Sequence, residues 1–191
     1  ISFLLIYMEQ PGVTFQPIKT IDGSVEINNV FLEDVKVSVA NRVGEENKGW
    51  TYAKYLLGHE RTSIAAVGRS KAQLKRLKTI ASAEEQDGKP LIHDPTFKEK
   101  IADIEISLLA LESLVLRVLS DESAGKGPGP EASFLKIRGT EVQQGITELL
   151  IEAIGNYAHP FVPESMETGW NEDPIGPEHA ASIAPHYFNW R

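Results

Sequence analysis

The sequence predicts an α+β chain: the end of a small antiparallel β-domain, then an antiparallel helical domain of the four-helix-bundle type, incomplete at both ends. Three observations carry this. Short apolar runs separated by Pro11-Gly12 and Asp22-Gly23 fill the first forty or so residues, the signature of strands and tight turns. From Trp50 onward the apolar residues recur at offsets of three and four, the period of a helix face. The helical stretches are joined by short connections, as antiparallel neighbours require.

Phe3 to Ile6 forms the first apolar run. Val13, Phe15 and Ile18 follow the Pro-Gly turn, then Val25 and Ile27, then Val35, Val37 and Val39. Alternation of this kind marks half-buried strands, and four short ones do not make a stable unit alone. Residues 1–42 are therefore read as the C-terminal part of a β-domain and 43–191 as the helical domain. Val43 to Gly49 is a loop with Asn47 as candidate N-cap. A single helix is expected from about Trp50 to about Ala83. Its last third is basic, with Arg69, Lys71, Lys75, Arg76 and Lys78. That stretch reads as a solvated face suited to the helix's C-terminal dipole, with an anion site as the alternative.

Asp94-Pro95 supplies an N-cap and a proline at the first helical position. Behind it Phe97, Ile101, Ile104, Leu108, Leu111, Val115 and Val118 alternate offsets of four and three, a bundle seam. Leu109, Leu116 and Leu119 widen that seam, so more than one neighbour is expected to pack on this helix. A third helix starts at Pro130 and closes near Gly155-Asn156, with Val142, Ile146, Leu149, Leu150 and Ala153 as its core side. The remaining stretch, rich in proline and aromatics, is expected to wrap a surface on a missing segment or a partner subunit. The first residues look like the middle of a strand and the last break off in an aromatic run, so the chain reads as a fragment cut at both ends.

Composition narrows the function. The 191 residues carry a formal charge of −8, which argues against a nucleic-acid or anionic-membrane surface. Cysteine is absent; thiolate catalysis, disulfides and cysteine-bound metal are excluded within it, and a reducing cytoplasm fits. No apolar run approaches the ~20 residues of a membrane span. The five histidines make no pair at metal-ligand spacing, and Gly125 to Gly129 follows a helix and lacks the Lys-Ser/Thr of a phosphate loop.

One residue is chemically unusual. Glu60 interrupts a stripe of Ala53, Leu57, Ile64 and Val67. No Lys or Arg lies three or four positions away, and Arg61 points roughly a hundred degrees round the helix. Such a carboxylate either finds a partner from elsewhere or gains proton affinity by desolvation, which suits a general base. From periodicity alone two roles stay open: an ion-pair member at a helix or subunit contact, or that base.

The order of elements and the local motifs resemble the acyl-CoA dehydrogenase family. Pro11-Gly12-Val13-Thr14, the stretch Val30 to Val37, and Val43 to Trp50 look like the end of that family's β-domain. Gly58-His59-Glu60-Arg61-Thr62-Ser63-Ile64-Ala65 looks like the start of its C-terminal bundle. The resemblance implies FAD-dependent α,β-dehydrogenation of an acyl-CoA thioester. A glutamate takes the α-proton, hydride passes to FAD, and the electrons leave to an electron-transfer flavoprotein; the protein is a homo- or hetero-oligomer, a dimer or tetramer. Most members carry the glutamate in a late loop, whereas isovaleryl-type and long-chain-type members carry it on the first bundle helix before an arginine. Glu60-Arg61 matches the second arrangement. Arg61 would then shape the thioester end of the pocket, with Leu57 and Ile64 as substrate-side residues.

The flavin contacts depart from the family pattern. Glu84 and Asp87 stand where an arginine and a phenylalanine are usual, and Pro95 where a glutamine opens the next helix. Near the family's Gly-Gly stretch, Gly155 matches and Glu152 replaces a glutamine, leaving these two as the cofactor-side candidates. Two alternatives to an active enzyme are a non-catalytic subunit of the same fold and a helical interaction module.

Overall fold

The computed structural model describes residues 1–60, 63–126 and 129–191, and their side chains except at positions 58–60, 132, 163 and 166. It divides into two compact units, Ile1–Thr20 with Ser24–Glu60 and Ile21–Gly23 with Arg61–Arg191. Strand and helix content is mixed, as the sequence predicts.

In the first unit, β2 (Val13–Ile18) and β3 (Ile27–Leu32) pair antiparallel, with Val13 opposite Leu32 and Ile18 opposite Ile27. The turn into β2 is built on Gly12, whose φ is +88°; a Cβ there would lie 2.1 Å from the Glu33 carbonyl oxygen. Only glycine fits both conditions. β1 (Phe3–Leu4) pairs with β4 (Arg42–Val43). The strand expected over Val35, Val37 and Val39 does not form. Asp34 turns left-handed at φ +51°, residues 39–41 make a 3-10 turn, and alternation without a neighbouring strand yields no ladder. No apolar side chain described in this unit is buried, which agrees with strands that need more sheet to form a core.

The unit ends in α1 (Gly49–Glu60). Asn47 is not its N-cap. It sits two residues before the helix at φ +63°, a conformation asparagine tolerates, and its N–H donates to Ser2 Oγ at 2.9 Å. Gly49 instead lets the helix start against the chain's first residues, donating its N–H to the Ile1 carbonyl at 2.9 Å.

In the second unit α2 (Val67–Ala83), α3 (Pro95–Ser123) and α4 (Glu131–Ile154) pack on one another. Leu74, Leu77 and Ile80 of α2 meet Phe97, Ile101 and Leu108 of α3 and Leu135, Ile146 and Leu150 of α4 in a common apolar core. The seam read on α3 is this contact. The short link from α2 to α3 is a two-stranded hairpin, β5 (Glu85–Gln86) with β6 (Lys89–Pro90). Asp87 and Gly88, both at positive φ, make its turn, the Asp-Gly preference of tight hairpins. Asp94 Oδ1 then accepts the Phe97 N–H at 2.8 Å, and Pro95 takes the first helical position: both start signals act as read.

The basic part of α2 faces solvent, as read, and much of it is also paired along the bundle surface. Lys71 pairs with Glu112 and Lys78 with Glu105 on α3. Arg76 donates to Ser182 Oγ at 2.9 Å, and Arg69 lies over the Trp190 ring, 5.6 Å from its centroid. Exposed pairs of this sort contribute about 0–1 kcal/mol each, so they orient the helices more than they hold them.

The aromatic end of the chain covers its own bundle. Ile183 and Ala180 are buried, and α5 (Ile183–Asn189) packs on α4. Gln144 donates to the Trp190 carbonyl at 2.9 Å, and Asn189 to the buried Asp22 at 3.0 Å. The expected cover for a missing segment or a partner is thus, over these residues, a fourth packing element of the unit itself.

His186 on α5 is held below the usual imidazole range, first by burial and then by Arg76 and Arg69. It is therefore neutral in the folded unit at pH values where the unfolded chain, with a pKa near ~6.5, already binds a proton. Stability contributed by the docked α5 is full above that unfolded value and falls as pH drops toward the lower folded value. Urea midpoints taken from pH 7.5 to 5 are expected to decline across that window, and His186→Gln to flatten the decline.

Candidate active site

The sequence places the site at the end of α1. The structure puts Glu60 at that helix's last position; its side chain, and all of Arg61, lie outside the described residues. Residues 63–65 form a 3-10 turn, Ala66 is left-handed at φ +46°, and α2 begins at Val67. The single helix expected from 50 to 83 is therefore two helices. Ala53 and Leu57 belong to α1, while Ile64 lies in the turn and Val67 opens α2, so the four do not share one helix face.

The physical reason for the break lies in the bundle. Ala65 is buried against α4 at Gly139, where an added Cβ would lie 2.8 Å from the Ala65 Cα and carbonyl oxygen. That approach fixes the backbone of the turn against α4, a tertiary contact that outweighs helix propensity. Leu57 is exposed on α1, and Ile64 is 39% exposed in the turn. Each offers apolar surface rather than core packing.

The cofactor-side candidates sit at the other end of α4. Glu152 accepts two hydrogen bonds from Lys100 of α3, at 2.6 and 2.8 Å, so its carboxylate is engaged within the chain. Gly155 caps the helix at φ +53°, and a Cβ there would meet nothing within 4 Å; the backbone is open to approach. At the start of α3 a cleft of about 380 Å³ is lined by Gln86, Asp87, Lys89, Leu91, His93 and Asp94. Asp87 and Asp94 outweigh the one lysine of the cleft, Lys89, and Glu84 is 2.9 Å from His179 Nε2. A dinucleotide's diphosphate needs surplus donors and positive charge. These residues do not fit one, and no chemical step is assigned to a flavin held here.

A polar cluster that periodicity did not single out lies between α2 and α4. Ser70, Gln143 and Thr147 are buried, and Gln73 is beside them. Gln73 Oε1 and Gln143 Oε1 have no protein partner and belong to residues lining a cavity of about 10 Å³, the room of one water; Ser70 Oγ, also without a protein partner, is not part of that lining. Its signal was available: Gln143 and Thr147 stand one turn apart inside the apolar side of α4. Among the described residues no cluster of His, Asp and Glu could hold a metal, and no helix is long and apolar enough to cross a membrane.

Residues 47–172 match the family model for the acyl-CoA dehydrogenase C-terminal domain. The acyl-CoA dehydrogenases FadE29 and FadE26 of Mycobacterium tuberculosis are 31% and 30% identical over 87% and 83% of this chain. The chain spans 43% and 40% of their lengths. Among solved structures, the ChsE4–ChsE5 complex of M. tuberculosis superposes with a TM-score of 0.77 at 26% identity, over 99% of this chain and 46% of that one. Butyryl-CoA dehydrogenase of Megasphaera elsdenii gives 0.71 at 23%, over 99% and 46%, a likeness of fold. The chain belongs to the acyl-CoA dehydrogenase family, a family of flavoprotein oxidoreductases.

Proposed function

We propose that residues 1–191 are part of a flavin-dependent acyl-CoA dehydrogenase in which Glu60 removes the α-proton of an acyl-CoA thioester. The observation that carries this reading is the family match, beginning at residue 47, over a helix whose last residue is a glutamate followed directly by Arg61. Arg61 would orient the thioester end, and Leu57 and Ile64 would line the acyl chain with the apolar surface they expose. We retain 1–42 as the end of the β-domain and 43–191 as a helical domain of four-helix-bundle type. FAD is the proposed cofactor of the whole protein and an electron-transfer flavoprotein its electron acceptor. Of the two flavin-facing positions, the open backbone of Gly155 supports a contact, while the Lys100 pair argues against one from Glu152. Residues 1–191 alone are then expected to be inactive, the flavin's main contacts lying elsewhere.

A second reading is favoured by the acidic side chains Glu84, Asp87 and Glu152: a subunit of the same fold that does not itself hold flavin on this face and works beside a different subunit. The FadE29 and FadE26 likenesses do not choose between the two. Anaerobic titration of the full-length protein with acyl-CoA thioesters of graded length separates them. Bleaching of bound flavin supports catalysis here. Flavin that stays oxidised with every thioester, or a preparation without flavin, sinks the first reading and leaves the second.

A further inference from the structure

No lysine or arginine lies between Arg138 and Arg191, and from Gly155 to Ser182 the chain carries the acids Glu164, Glu167, Glu172, Asp173 and Glu178. Within that segment is a cavity of about 130 Å³. Tyr157, Trp170, Val162 and Ile175 give it apolar walls, and the exposed residues Glu172 and Asp173 border it. A site for a whole drug-sized ligand takes about 300–1,000 Å³; this one has room for a single head group. Its walls are built into the fold. Gly176, at φ +87°, leaves space for the Tyr157 ring, since a Cβ there would lie 2.2 Å from Tyr157 Cδ1. Trp170 closes a turn by donating its N–H to the Glu167 carbonyl at 3.3 Å, and Ala181 joins the lining to the buried Ala180 beside it.

Elsewhere the chain supplies cations to its own aromatic rings, Arg69 to Trp190 and Arg191 to Tyr187. Among the described residues Tyr157 and Trp170 have neither such a cation nor a stacked ring, and Glu172 and Asp173 have no ion pair. Aromatic faces and carboxylates attract one kind of guest, a cation. The walls select its type. Ammonium and guanidinium groups bring three to five N–H donors, more than aromatic and aliphatic walls provide for. A quaternary ammonium has no N–H to satisfy and meets such walls with methyl groups. We propose that this cavity binds the trimethylammonium group of an organic ligand, with Tyr157 and Trp170 in contact with it and Glu172 and Asp173 attracting it from the rim. The inference is independent of the role proposed for Glu60.

The test titrates full-length protein with choline and with its neutral carbon isostere, 3,3-dimethylbutan-1-ol, reading binding by saturation-transfer NMR on the methyl signals. Choline is expected to bind about tenfold or more tightly than the alcohol, and more tightly than n-butylammonium. Trp170→Leu keeps an apolar wall without the ring and is expected to weaken choline about tenfold, while Trp170→Phe restores part of the loss. Glu172→Gln with Asp173→Asn is expected to weaken it severalfold, with a smaller effect at high salt; circular dichroism checks that each variant is folded. Phosphatidylcholine vesicles separate two sources of the group: co-sedimentation that choline competes away assigns it to a lipid, and its absence beside choline binding assigns it to a soluble molecule. Equal affinity for choline and the alcohol, tighter binding of n-butylammonium, no binding of choline, or binding indifferent to Trp170→Leu would each overturn the proposal.

Discussion

Glu60→Gln in the full-length protein is expected to slow acyl-CoA-dependent bleaching of the flavin by roughly 10²–10⁴-fold, the usual contribution of a positioned general base. The amide keeps the side chain's shape and loses only its capacity to take a proton. Flavin content and thioester affinity should therefore stay within about twofold, and rapid-mixing traces should show binding without reduction. The contrast with a structural carboxylate is sharp. If Glu60 is an ion-pair member at a subunit contact, the substitution weakens assembly and leaves the rate of bleaching intact. If bleaching and assembly both survive, the base stands elsewhere in the longer protein and the Glu60-Arg61 match is incidental.

Legibility in the sequence followed how local the cause of each feature is. The start of α3 could be read because its signals lie within four residues: Asp94 caps the Phe97 N–H and Pro95 fits the first turn. Its buried seam could be read because one helix period generates it. The break after α1 could not, since it answers to Gly139, far along the chain, whose missing side chain admits the Ala65 backbone. Periodicity alone ran Ala53 through Val67 as one stripe, and the case for Glu60 lost its C-terminal half with that stripe. The fate of the basic residues of α2 was hidden for the same reason. Lys71, Lys78 and Arg76 find partners on other elements, and no spacing within α2 announces them. The valines at 35, 37 and 39 alternate as a strand does, but alternation states a capacity to pair and not the presence of a neighbour.

Phe97→Ala is expected to remove about 3–5 kcal/mol from the helical unit, the cost of emptying a phenylalanine site in a packed core. The ring is 1% exposed and joins the core shared by α2, α3 and α4. Its backbone N–H is the one capped by Asp94, and alanine keeps that bond, so the loss isolates packing from helix initiation. Against a total of about 5–15 kcal/mol for an ordinary domain, this is enough to expose the unit to partial unfolding at physiological temperature. Urea denaturation should show a lower midpoint at an unchanged slope. Leu116→Ala on the same helix is the control: the side chain is 60% exposed, and within one copy its loss should cost no more than about 0.5 kcal/mol. One helix thus separates by measurement into a face that folds the unit and a face that does not.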